Sequence, residues 1–186
     1  MATVYRVRHE QLDTLYALKV LGLDGSNVRE RLLREGKVQA SLRHPNIVEV
    51  RDVLDVNGAP GLLMEYIDGV AMDQWLEKHQ PDAEEALTLY RGILAGVGHA
   101  HAQGFIHRDL KPANVMMQVT DDALIPKITD FGLAKLIETP SDHRKTRTGS
   151  TMGTPAYMPP EQFSDASSVD RRADLYALGL CLWQML

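Results

Sequence analysis

The chain has a single cysteine, Cys181, among 186 residues, so it forms no internal disulfide and suits a reducing, cytoplasmic setting. Long hydrophobic runs are absent. The longest, Ala177 to Leu186, is too short to cross a bilayer and contains Gln184. Met1 to Arg6 shows no apolar run of the kind that opens a secretory leader, and any membrane anchor is expected outside these residues. An excess of positive charge is also missing. A net charge of −5 argues against nonspecific nucleic-acid binding, and the cluster Arg29, Arg31 and Arg34 is interleaved with Glu30 and Glu35, as on a solvated helix face. His99 and His101 have no third metal ligand in view. There are no internal repeats and no low-complexity tract. The remainder, 44% hydrophobic and 24% charged, is the composition of a soluble globular protein with one good core or two small lobes.

The first third reads as strands around one helix. Val4–Arg8 and Leu15–Val20 alternate like hairpin partners, and Ile47–Val50 and Leu62–Tyr66 read as two more strands divided by the turn Asn57–Gly61. Between them a helix is expected from Ser26 to about Leu42. Its residues Val28, Leu32, Glu35, Gln39 and Leu42 share one stripe, so Glu35 lies on an apolar face and needs a partner; Lys19, closing an apolar strand, is the natural one. After Asp68-Gly69 the pattern turns helical. Asp82 with Glu85 predicts a helix start, followed by a stripe of Leu87, Tyr90, Ile93, Leu94 and Val97 up to about Ala102. Leu133 to Pro160 reads as a long loop, and Asp170 to Leu186 as an apolar helix with Asp174 facing inward beside Leu178 and Cys181.

Chemistry concentrates in His107-Arg108-Asp109-Leu110-Lys111-Pro112-Ala113-Asn114 and, sixteen residues after Asn114, Asp130-Phe131-Gly132. Two acids, an amide and a lysine at this spacing suit phosphoryl transfer, which demands positioning and charge neutralisation more than covalent chemistry. Asp109 can accept a hydroxyl proton, Lys111 can screen phosphoryl charge, and Asn114 with Asp130 offers hard oxygen ligands to Mg2+.

These motifs resemble those of the eukaryotic-type serine/threonine protein kinases, specifically the bacterial eukaryotic-like group. A later Gly153-Thr154-Pro155-Ala156-Tyr157-Met158-Pro159-Pro160-Glu161 is similar to that family's substrate-proximal segment. The resemblance implies an α+β, bilobal fold: an N-lobe over 1–67 with a small antiparallel sheet and one helix, and a mainly helical C-lobe over 68–186. It implies transfer of the γ-phosphoryl group of Mg-ATP to Ser or Thr hydroxyls of protein substrates, the chain itself included. It assigns Asp109 and Lys111 to catalysis, and Asn114 and Asp130 to magnesium. Lys19, paired with Glu35, goes to the phosphates, and Val4, Ala17, Met64, Glu65, Ile67 and Met116 to the adenine pocket and hinge. Arg108 and Lys135 are the expected grips for an activation loop phosphorylated at Thr146, Thr148 or Ser150, and Thr154 is expected to bridge Asp109 and Lys111. His107 is expected to pack on the Asp-Phe-Gly segment and structure the loop.

Two departures matter. Counting back from Val4, the third glycine of the family's Gly-rich loop falls at Ala2, and the first two would precede Met1. The first strand and the last helices of the fold are likewise not represented, so the chain is expected to cover about two-thirds of a kinase domain and to be weakly stable by itself. Gln39 stands where the family places an apolar residue between the lobes, which implies a looser stack or a hydrogen bond to nearby backbone. The alternatives are a catalytically inactive kinase-like scaffold fragment and a small-molecule phosphotransferase; the peptide-platform segment argues against the second.

Overall fold

The computed structural model describes residues 2–22, 36, 39–121, 123–131, 155–164 and 169–186. Strands β1 (Ala2–His9) and β2 (Thr14–Leu21) form the expected hairpin, and β3 (Val50–Val56) and β4 (Ala59–Glu65) complete an antiparallel sheet in the order β1-β2-β4-β3. Asn57 and Gly58, at φ of 54° and 88°, make the two-residue turn between β3 and β4, a turn whose left-handed positions Asn and Gly tolerate. The strand expected at Ile47–Val50 starts only at Val50; Ile47 makes a lone parallel bridge to Ile128 instead. Arg51, Asp52 and Asp55 disguise β3 as loop, yet at the rim of the described sheet their side chains reach water.

Pairing places Val4 opposite Lys19, Lys19 opposite Leu62, and Ala17 opposite Met64. Directly opposed residues share a face, so Val4, Ala17, Lys19 and Met64 all line one side of the sheet. Of the helix expected over 26–42, only residues 36 and 39–42 are described. They include a helical bond from Ala40 N–H to Gly36 O of 2.8 Å. Gly36 lies so close to the sheet that a Cβ there would come within 2.5 Å of Val53 Cγ2.

Beyond Gly69 the structure departs from the expected purely helical pattern. Three strands, β5 (Gly69–Ala71), β6 (Val115–Val119) and β7 (Leu124–Ile128), form a second antiparallel sheet. Their brevity, and Pro126 inside β7, hide them from a periodicity reading. Among the described residues beyond Gly69 the helices are α1 (Met72–Leu76), α2 (Ala83–Ala102), α3 (Pro160–Ser164) and α4 (Arg171–Met185). Helix α2 starts where expected: the Asp82 carboxylate accepts from Glu84 and Glu85 N–H at 3.0 and 2.9 Å.

The buried face of α2 is the expected one only in part: Ile93 and Val97 are buried and Tyr90 packs partly buried on the core. Leu87 and Leu94 are 44% and 40% exposed, whereas Ala86, Leu89, Ile93, Gly96, Val97 and Ala100 are buried. Small residues carry the contact because the segment around Asn46 runs directly against the helix. A Cβ on Gly96 would meet Asn46 O at 2.9 Å. Apolar bulk therefore misled the stripe reading at Leu87 and Leu94. A large core joins α2, β6, β7, Phe131 and α4. A smaller one, around Leu62, Met64 and Ile67, lies under the first sheet and takes in Met116 from β6.

Candidate functional site

The site is assembled where β7 leaves its sheet and the 107–114 segment passes beneath it. Asp174 of α4, 1% exposed, organises that segment. Its Oδ2 accepts the His107 main-chain N–H at 2.8 Å and His101 Nε2–H at 2.7 Å, and its Oδ1 accepts the Arg108 N–H at 2.8 Å. Burial would raise the Asp174 pKa. The His101 bond, the nearby His107 ring and the two main-chain N–H groups outweigh it and hold the carboxyl below its usual value. Arg108 adopts φ of 68°, a left-handed conformation costly for a side-chain-bearing residue, and Asp174 fastens its N–H while Gln162 Nε2 donates to its carbonyl at 3.3 Å.

The functional side chains follow from this anchoring. Asp109 Oδ2 lies 2.9 Å from Lys111 Nζ. Pro112 opens a 3-10 turn to Asn114, whose Nδ2 donates to Asp109 O at 2.7 Å and to Asp109 Oδ2 at 3.2 Å. With its nitrogen spent on Asp109, the Asn114 amide turns its oxygen, a hard ligand, the other way. Asn114 O in turn accepts the Thr129 N–H at 2.9 Å, which ties this turn to the residue before Asp130. His107 is fully buried and structural, as expected. Its Nε2 donates to Thr129 O at 2.8 Å and its ring lies 4.7 Å from that of Phe131.

Asp130, also left-handed at φ of 67°, directs Oδ1 to Lys19 Nζ at 2.7 Å, across from the first sheet to the second. The expected partner of Lys19, Glu35, lies outside the described residues, as do Lys135, Thr146, Thr148, Ser150 and Thr154. Ala17, Met64, Ile67 and Met116 do come together around the smaller core, Ala17 and Met64 on the same sheet face as Lys19. Val4 shares that face but is 59% exposed. Arg108 is half-buried.

Glu65 has a role the sequence did not suggest. Its carboxylate takes Lys127 Nζ at 2.8 and 2.9 Å and the Glu49 N–H at 2.8 Å, pinning β4 to β7 three residues before Asp130. Asn46 adds a second strut: its Nδ2 donates to Pro126 O at 2.8 Å and its carbonyl accepts the Ile128 N–H at 2.9 Å. Gln162, Lys127 and Asn46 carry no local sequence signal, because each acts through a partner at least 54 residues away.

Among the described residues no three His, Cys, Asp or Glu side chains form a metal cluster. A magnesium ion would therefore rest on Asn114, Asp130 and the oxygens of a nucleotide, which is how this cation is ordinarily held. The donor set fits: one amide oxygen, one carboxylate, and a lysine across the cleft for phosphate charge.

A strand lysine meeting an acid beside a left-handed turn, above a loop anchored on a buried helix acid, defines the architecture of protein kinases. The chain belongs to that family: the protein kinase domain matches over residues 1–186. Serine/threonine-protein kinase pkn3 of Myxococcus xanthus is 37% identical, covered over 100% of this chain and 35% of its own length. Serine/threonine-protein kinase PrkC of Bacillus subtilis is 33% identical, over 100% and 28%. The chain thus spans about a third of the length of these relatives. The Mycobacterium tuberculosis PknI kinase domain superposes with a TM-score of 0.74 at 30% identity, covering 100% of this chain and 67% of that one. Rad53 in complex with AMP-PNP superposes with a TM-score of 0.77 at 27% identity, over 100% and 44%. The bilobal fold expected from the motifs agrees with these neighbours. Among the described residues no helix is long and apolar enough to cross a membrane.

Proposed function

We propose that this chain carries the phosphoryl-transfer site of a serine/threonine protein kinase and acts on protein hydroxyls with Mg-ATP. The observation that carries this reading is the convergence of Lys19, Asp130, Asn114, Asp109 and Lys111 through bonds of 2.7 to 3.2 Å. The purine stacks among Ala17, Met64 and Met116, with the main chain of Glu65 and Ile67 at its edge and Val4 above. Lys19, supported by Glu35, holds the phosphates. Asp109 receives the proton of the Ser or Thr hydroxyl as the hydroxyl oxygen bonds to the γ-phosphorus. The bond from that phosphorus to the β,γ-bridging oxygen breaks, and ADP leaves with the electron pair. Lys111 screens the charge on the moving group. Asn114 and Asp130 would hold magnesium, which would supply Lewis-acid neutralisation of the phosphate oxygens.

Regulation belongs to the same proposal. A phosphate on Thr148, Thr146 or Ser150 adds nearly two negative charges that Arg108 and Lys135 can grip. Thr154 bridges Asp109 and Lys111. The test is mass spectrometry of the full chain after incubation with Mg-ATP, beside Asp109→Asn. Phosphate on Ser or Thr is expected from the unaltered chain, with a rate about 10²- to 10⁴-fold lower for the variant, the usual worth of a positioned base. Equal labelling of both, or none on either, would reject the assignment.

A further inference from the structure

Gln39 is a glutamine in an apolar place. Its side chain, 8% exposed, lines a small pocket with Leu42, Val50, Met64, Asp130 and Phe131. An amide costs free energy there unless its polar atoms are paired. Gln39 Nε2 donates to the main-chain carbonyl of Phe131. On the other side of Asp130, His107 Nε2 donates to the carbonyl of Thr129 at 2.8 Å. The left-handed Asp130 is thus flanked by carbonyls that both accept from buried side chains, one from beneath and one from the helical turn packed on the first sheet at Gly36.

We infer that Gln39 is a positioning residue: by holding the Phe131 carbonyl it keeps Asp130 turned toward Lys19, and so couples the helical turn that bears Gly36, Gln39 and Ala40 to the magnesium loop. The inference rests on the kinase reading for its purpose but not for its geometry. An apolar side chain would fill the same space without direction. The amide adds a directional contact, because a Phe131 that swings away leaves a buried N–H unpaired. Helix position and Asp130 orientation therefore change together.

The measurement compares Gln39→Met, which keeps volume and removes the donor, with the unaltered 186-residue chain. ADP affinity is read by calorimetry with magnesium and with EDTA, alongside the thermal midpoint. The expected result is an unchanged metal-free affinity, a thermal midpoint lowered by a few degrees because the Phe131 carbonyl loses its donor, and a gain conferred by magnesium reduced about tenfold, the scale of one buried hydrogen bond. An unchanged magnesium gain overturns the inference, and so does a parallel fall of both affinities with the midpoint, the signature of mere packing. A second readout needs no variant. In the ¹⁵N-labelled chain the Gln39 side-chain amide protons should exchange at least about tenfold more slowly than those of the exposed Gln11 and Gln74. Equal exchange refutes the hydrogen bond. If the unaltered chain binds ADP without regard to magnesium, the kinase reading fails, and this exchange measurement still decides the role of Gln39.

Discussion

Asp174 shows how much one side chain can hold. Three hydrogen bonds of 2.7 to 2.8 Å converge on a carboxylate that is 1% exposed. Asp174→Asn keeps the shape but sets an NH2 group against a donor, so it should destabilise the fold by about 2–4 kcal/mol, measured by urea unfolding at neutral pH. The pH dependence has a defined sign. The folded-state pKa lies below the ordinary aspartate value of 3.8, so this stability is complete above that value and is lost as pH falls through the lower folded one. The variant should lack that part of the acid limb; an acid limb of unchanged depth would contradict it. Motif spacing made Asp174 legible as an inward acid, and His107 as structural, because both sit in dense local patterns. Gln162 and Lys127 were not legible, since nothing within a few residues of either indicates a partner 54 or 62 residues away.

At the scale of elements, close approach governs. Gly36→Ala should cost about 1–3 kcal/mol by overpacking against Val53, and Val53→Ala in the same chain should recover part of it. Simple additivity of the two costs would show that the contact is not the cause. The segment entering β3 carries a second test. His44 Nδ1 accepts the Asn46 N–H at 3.1 Å, and its ring lies 5.1 Å from that of His99 on α2. Burial and then His99 push its pKa below 6.5. The unfolded chain therefore takes up the proton first, and stability falls as pH drops below 6.5. Denaturation midpoints from about pH 7.5 to about pH 5.5 should decline less steeply in His44→Asn; parallel declines would exclude His44. The helix expected at Asp82 appeared where its cap placed it, and Ile93 and Val97 are buried as expected, but Leu87 and Leu94 are exposed and Ala86, Leu89, Gly96 and Ala100 complete the buried face.

For the whole molecule, the two sheets are joined by Lys19–Asp130, by Glu65–Lys127 and by the Asn46 strut. Cys181 lies in the core between α2 and α4 and reports on global integrity. Burial raises its pKa to about 12, so the thiolate that reacts is scarce in the folded chain. Alkylation near pH 8 should proceed at least about 10³-fold more slowly than in urea, and Mg-ADP should slow it further by stabilising the native state. Rapid labelling without denaturant would mean that α4 opens independently of the rest.

By itself the amino-acid sequence determined the family, the order of the motifs and the start of α2, because each is written in residues only a few positions apart. Only the tertiary structure decided that Leu87 and Leu94 of α2 stay exposed, that Glu65 binds Lys127, and that Gln39 reaches the Phe131 carbonyl. Those outcomes depend on how closely backbones approach and on partners distant along the chain, and neither quantity is carried by local composition or periodicity.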